Sequence, residues 1–172
     1  AFCPDASVVV VGSLGKLFWG GLRVGWARAG EAIALRFARV KATHDLGSSA
    51  VSQVMAERLL GSDDVESFAV RRRLQMRRHY EILADAFRAQ LPDWSWPEPS
   101  GGLSVWVQLP GASGESFAQM AVRHGVAVAT SRALSVSGAH DDRIRISFSA
   151  PPEELAEGVS RLAAAWHAYR KP

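Results

Sequence analysis

Lys16 sits inside VVVVGSLGKLFWGGLRVGW, residues 8–26, and is one of three lysines in a chain that carries 17 arginines. Three roles suit a lysine in such a setting. It can be a solvated loop residue, the lysine of a phosphate-binding P-loop, or an amine that attacks a carbonyl carbon. The glycines at 12, 15, 20, 21 and 25 argue against the first, because glycine lets a backbone close on a ligand. A P-loop needs a glycine six residues before the lysine and Ser or Thr directly after it. Val10 and Leu17 occupy those positions, so that motif fails twice. An amine that condenses with an aldehyde must be desolvated and uncharged. An apolar, glycine-rich loop at the end of a buried strand suits that chemistry, and on the residues alone this role and the solvated one both stay open.

A second candidate lies in RIRISFS. Strand alternation puts Arg143 and Arg145 on one side and Ile144, Ile146 and Phe148 on the other. Without further information, two solvated strand arginines are the plainer reading. Arg71, Arg72, Arg73, Arg77 and Arg78 could neutralise phosphates. They also flank an apolar stripe with Glu66, Glu81 and Asp85 nearby, as an ordinary solvated helix face does. Trp106 and the other tryptophans read as core. His44, His79, His124, His140 and His167 are scattered without metal-ligand spacing, so no metal site is expected.

The elements that must position these residues follow from periodicity. Val8–Val11 is a β-branched run without alternation, which predicts a strand buried on both faces in a parallel-type sheet. Gly12–Lys16 is the loop after it, and residues 22–27 form a short second strand. Helices are expected over 31–44, with Ile33, Phe37 and Val40 on one face, and over 48–60. Gly61-Ser-Asp-Asp is a break and a new helix start. A long helix over 65–90 carries Met76, Tyr80, Leu83, Phe87 and Leu91 as one stripe. The period then changes: SVWVQL is a strand, SFAQMAVRHG a helix ending at Gly125, and VAVAT and RIRISFS are strands. A last helix opens at Pro151-Pro152 with acids in its first turn and buries Leu155, Val159, Leu162, Trp166 and Tyr169. Residues 1–62 thus read as the end of a larger α/β domain and 63–172 as a small α+β domain.

Composition sets the limits. With 172 residues and 48% of them apolar, the chain can bury a sizeable core. The single cysteine, Cys3, excludes an internal disulfide and fits a reducing, cytoplasmic setting. No apolar run reaches the roughly 18 residues of a membrane span, and without a basic segment before the first apolar stretch no secretory signal is expected. A net charge of +3 is too weak to imply nucleic acid. The start at Ala1, so close to a strand, suggests that a substantial N-terminal part is absent.

GSLGKLFWGGLRVGW resembles the lysine motif of fold type I pyridoxal-phosphate (PLP) enzymes, the class I/II aminotransferase superfamily. The resemblance extends to PSGGLSVWVQLP and RIRISFSAPPEEL and so covers essentially the whole chain. It implies the tail of the PLP-dependent transferase large domain, with a parallel-type sheet, followed by the complete α+β C-terminal domain. It also implies that Lys16 forms the internal aldimine. Ser13 and Arg23 then bind the cofactor phosphate, roles that suit a hydroxyl and a planar guanidinium. Arg145 matches the arginine that grips the substrate α-carboxylate, while Arg143 remains a solvated residue. The family's second serine is replaced by Gly15.

GSLGKLFWGGLRVGW, GGLSVWVQLP, HGVAVATS and HDDRIRISF are most similar to the aminotransferase-like domain of MocR-type regulators, which carry an N-terminal GntR-type DNA-binding domain. That likeness implies an effector domain that senses PLP or an amino acid. The parent would be a cytoplasmic homodimer, with its DNA contacts before Ala1 and no membrane partner. The alternative is a fragment of an active amino-acid aminotransferase. In either case the acid for the pyridine nitrogen, the ring-stacking aromatic and further phosphate ligands precede the lysine strand in the family, and Asp5 is too near to be that acid. The 172-residue chain is therefore expected to hold an incomplete site, to bind PLP weakly, and to expose an unpaired strand edge through which it could associate.

Overall fold

A computed structural model describes residues 7–45, 47–135 and 139–171. Cys3 and Asp5 lie outside the described residues. The chain forms two compact units, Ala1–Arg72 and Arg73–Pro172.

In the first unit, β1 (Val10–Ser13) leads into a one-turn helix, α1 (Leu14–Leu17), and a 3-10 turn over Gly20–Leu22. The chain then returns as β2 (Gly25–Arg28), which pairs antiparallel with β1 in the register Gly12↔Trp26 and Ser13↔Gly25. Two helices follow, α2 (Glu31–His44) and α3 (Ala50–Leu60). Ser49 caps α3, its hydroxyl accepting from the Ser52 N–H. The buried cluster of this unit is Leu14, Leu22 and Ala56, with Phe18, Val24 and Leu59 packed against it. Phe18 also stacks on Phe68 at 5.4 Å between ring centroids.

Two expectations are corrected in this unit. Val8–Val11 is not buried on both faces, since its members are 38–74% exposed. Among the described residues β1 pairs with β2 alone, antiparallel, which leaves its other edge unpaired, as expected of a chain that carries only the tail of the sheet. A two-stranded ribbon cannot by itself supply the two covering layers that an all-apolar strand calls for. Lys16 lies in the helical turn α1 rather than in a loop. Phe37 and Val40 share a face of α2 as expected, but that face is exposed within this chain.

The second unit is a two-layer α+β arrangement. A long helix, α4 (Val65–Gln90), enters it and packs the stripe Met76, Tyr80, Leu83 and Phe87 inward. A three-stranded antiparallel sheet has the order β3 (Ser104–Gln108), β5 (Arg143–Ser147), β4 (Ala129–Thr130). Helices α5 (Gly114–Arg123) and α6 (Pro152–Arg170) complete it. Strand β4 is shorter than the VAVAT run predicts, with Val126 and Val128 packing on the core from outside the strand. Alternation on β3 and β5 turns Val105, Val107, Ile144 and Ile146 to the core, joined by Phe148 just past β5. Phe117 on α5 meets Trp94, Trp166 and Tyr169 edge-on, at 5.5, 5.5 and 5.9 Å between centroids. The buried His79 places Nδ1 3.2 Å from the carbonyl oxygen of Phe148, tying α4 to the end of β5.

The arginine-rich stretch of α4 behaves as a solvated face. Arg77 bonds Glu81 at 2.9 Å and lies 3.3 Å from Glu98, and Glu81 holds the guanidinium above its ordinary pKa. No helix among the described residues is long and apolar enough to cross a membrane.

Candidate functional site

Ser13, Lys16 and Arg23 are carried by one short, firmly held stretch of the first unit. The Leu14 N–H donates to the Val24 carbonyl at 3.0 Å, which ties the start of α1 to the chain entering β2. The Phe18 N–H closes the turn onto Leu14 at 2.9 Å, and the Leu22 N–H bonds the Trp19 carbonyl at 3.0 Å. Leu14 and Leu22 are buried in the core of the unit with Phe18 packed against them, while Ser13, Lys16 and Arg23 stand exposed.

All three side chains are exposed. Ser13 occupies the N-cap of α1, but its hydroxyl makes no capping hydrogen bond. Neither Lys16 nor Arg23 has a hydrogen-bond or ion-pair partner among the described residues. The expectation of a desolvated Lys16 amine is therefore not met by this chain alone. The set comprises a hydroxyl, a primary amine and a planar guanidinium, none of them engaged among the described residues. By chemical type a guanidinium and a hydroxyl suit a phosphate dianion, and a primary amine suits an electrophilic carbon.

Arg23 has φ 53° and ψ 31°, the left-handed region that non-glycine residues adopt at a cost of about 1–2 kcal/mol. A strained residue with a free guanidinium, at a position where glycine would relax, is the pattern seen where function retains a side chain against local stability. Arg23→Gly is expected to leave stability unchanged or raise it by up to about 1 kcal/mol, and the phosphate role expected of Arg23 from the family resemblance predicts loss of most phosphate affinity. Thermal denaturation together with a titration of pyridoxamine phosphate measures both; a lowered melting temperature contradicts the strain argument.

The glycines do less for a ligand than the spacing predicts. A Cβ on Gly12 would fall 2.4 Å from the Trp26 ring, and one on Gly21 would fall 2.2 Å from the Trp19 ring. Two of the five glycines thus make room for the chain's own indoles, which lie close against the backbone. Trp19 and Trp26 are nonetheless 65% and 49% exposed.

Arg145 is placed in the second unit, on the middle strand of its sheet. Alternation holds as expected: Ile144 and Ile146 are buried while Arg145 is exposed, again without a partner among the described residues. Arg143 lies 4.0 Å from Asp142 and is half-buried. The structure corrects the assignment of Trp106 to the core. Trp106 is half-buried on the outer face of β3, directly across from Arg145. The signal was present in SVWVQL, because alternation sends Trp106 opposite to Val105 and Val107.

Comparison with known proteins follows from these features. The chain is 28% identical to Aromatic-amino-acid aminotransferase 1 of Thermococcus litoralis, over 95% of its own length and 40% of the relative's. It is also 28% identical to the uncharacterized HTH-type transcriptional regulator YdfD of Bacillus subtilis, over 92% of the chain and 33% of the regulator. Among solved structures, LysN, the α-aminoadipate aminotransferase of Thermus thermophilus, superposes with a TM-score of 0.86 at 27% identity. That match covers 94% of this chain and 42% of LysN, whose structure holds N-(5′-phosphopyridoxyl)-L-leucine. The chain thus spans about two-fifths of the length of these proteins or less. The model of the family described as aminotransferase class I and II matches residues 3–162, and with both the strand–lysine–arginine stretch and the small α+β unit in place, the chain belongs to that family.

Proposed function

We propose that this chain is the PLP-binding, aminotransferase-like effector part of a MocR/GntR-type transcriptional regulator. The observation that carries the cofactor reading is the display of Ser13, Lys16 and Arg23, all exposed and unpartnered, on one hydrogen-bonded stretch anchored by the buried Leu14 and Leu22. The regulator reading is supported by the HTH-type relatives, which include YdfD, YisV and NorG. DNA contacts, the dimer and a cytoplasmic location belong to this proposal for the whole protein.

Each residue has a separate task. Lys16 Nζ is the amine that holds the cofactor through its aldehyde carbon. Ser13 Oγ donates one hydrogen bond to a phosphate oxygen, and the Arg23 guanidinium offers two parallel N–H groups to the same dianion. Arg145 presents its fork to the α-carboxylate of an amino acid, a planar bidentate match. When bound, PLP supplies an electron sink for negative charge developing at the amino acid's Cα. In a protein that turns over, Lys16 Nζ is also the base that moves the Cα proton.

The transaminase relatives favour a second reading, an active amino-acid aminotransferase. Incubating the full-length protein with PLP and a panel of amino acids separates the two. The regulator reading expects ligand-dependent spectral change without sustained ketoacid release. Rapid multiple turnover overturns it in favour of the enzyme.

A further inference from the structure

The outer face of the second unit's sheet puts three residues in one row. Register sets Trp106 of β3 directly across from Arg145 on one side, and Ala129 of β4 directly across from it on the other. Side chains opposite one another in antiparallel pairs have their Cβ atoms about 4.5–5.5 Å apart. A half-buried indole therefore stands on one flank of Arg145, while a single methyl group leaves the other flank open.

Packing does not account for Trp106. It is neither a member of the core cluster nor among the partly buried side chains packed against it, and it joins none of the ring contacts among the described residues. A large apolar side chain beside an unpartnered guanidinium has a direct electrostatic consequence. In open water an arginine–carboxylate pair gains little, because both groups are well solvated. An apolar wall on one side lowers the local dielectric and strengthens the pair. The indole also occupies one flank of the guanidinium, which leaves that group fewer orientations.

We propose that Trp106 is a positioning residue for Arg145, fixing the guanidinium and shielding it so that the α-carboxylate of an amino-acid ligand enters from the Ala129 side. The inference rests on the carboxylate role proposed for Arg145.

The test uses the full-length protein and two probes. One is N-(5′-phosphopyridoxyl)-L-leucine; the other is its decarboxylated counterpart, N-(5′-phosphopyridoxyl)-3-methylbutylamine. The ratio of their dissociation constants, measured by calorimetry, isolates the carboxylate. Arg145→Ala is expected to remove the preference for the carboxylated probe. Trp106→Ala is expected to cut that preference about tenfold, with affinity for the decarboxylated probe and melting temperature nearly unchanged. Trp106→Phe keeps most of the preference. If Arg145→Ala removes the preference and Trp106→Ala leaves it intact, this inference is overturned while the role of Arg145 survives. An equal weakening of both probes by Trp106→Ala reveals a merely structural residue and also overturns it. A preference that survives Arg145→Ala defeats the carboxylate assignment itself, and failure of the unaltered protein to bind either probe defeats the cofactor reading and this inference together.

Discussion

Replacing Lys16 with alanine is expected to reduce borohydride-fixed incorporation of PLP into the full-length protein from about one label per chain to none. The argument is chemical. Only a primary amine can be trapped by reduction, and the chain offers three lysines, Lys16, Lys41 and Lys171. Lys41 is engaged by Asp45, with Nζ 2.8 and 2.6 Å from the two carboxylate oxygens, and that bond holds the Asp45 carboxyl below its ordinary pKa. Lys171 follows the last turn of α6, far in sequence from Ser13 and Arg23. Lys16 is flanked by the Ser13 hydroxyl and, seven residues on, by the Arg23 guanidinium, both without a partner among the described residues. Peptide mapping by mass spectrometry reads the outcome directly. Thermal denaturation of the substituted full-length protein, with a melting temperature nearly unchanged, separates loss of label from unfolding. Arginine at the same position serves as a second control, since a guanidinium stays protonated and cannot take the amine's role. A full label on the Lys16→Ala protein removes the basis of the proposed function.

The largest effect on stability is expected from Phe117→Ala. Phe117 is fully buried and is the hub of an aromatic cluster, with edge-on contacts to Trp94, Trp166 and Tyr169. Removing a buried phenylalanine costs about 3–5 kcal/mol in lost transfer energy and residual cavity. Edge-to-face aromatic pairs add about 0.5–1.5 kcal/mol each beyond area burial. A domain of ordinary stability holds about 5–15 kcal/mol in total, so much of the margin goes. Urea denaturation followed by tryptophan fluorescence reports it well, because Trp94 and Trp166 border the deleted ring. A midpoint that falls without a change in slope is the expected pattern. A loss below about 1 kcal/mol would show that the cluster closes over the gap and that Phe117 is not its hub.

How far residue order predicts the molecule depends on the kind of element. The bounds of α2 and α4 were legible, 31–44 and 65–90, because both have clear end signals and α4 a sustained apolar stripe. The outward aim of Arg145 was equally legible, since a strand's period of two leaves no choice of face once Ile144 and Ile146 are inside. The first unit was harder to read. The Val8–Val11 run signals burial on both sides, yet a ribbon with one antiparallel partner leaves it open. The glycines around Lys16 signal close approach, and close approach occurs, but to Trp19 and Trp26. A glycine announces missing volume without naming what fills it.

Residue order by itself therefore determined the helix stripes and the strand alternation. All of these depend on neighbours within a few positions along the chain. Only the tertiary structure decided that Lys16 stands in a helical turn with its amine unpaired, that Arg23 is held in a left-handed conformation, and that Trp106 shares a sheet face with Arg145 from a strand distant in sequence. The first two depend on closure of the β1–β2 ribbon, and the third on two strands distant in sequence, brought into register by a core that no local pattern encodes.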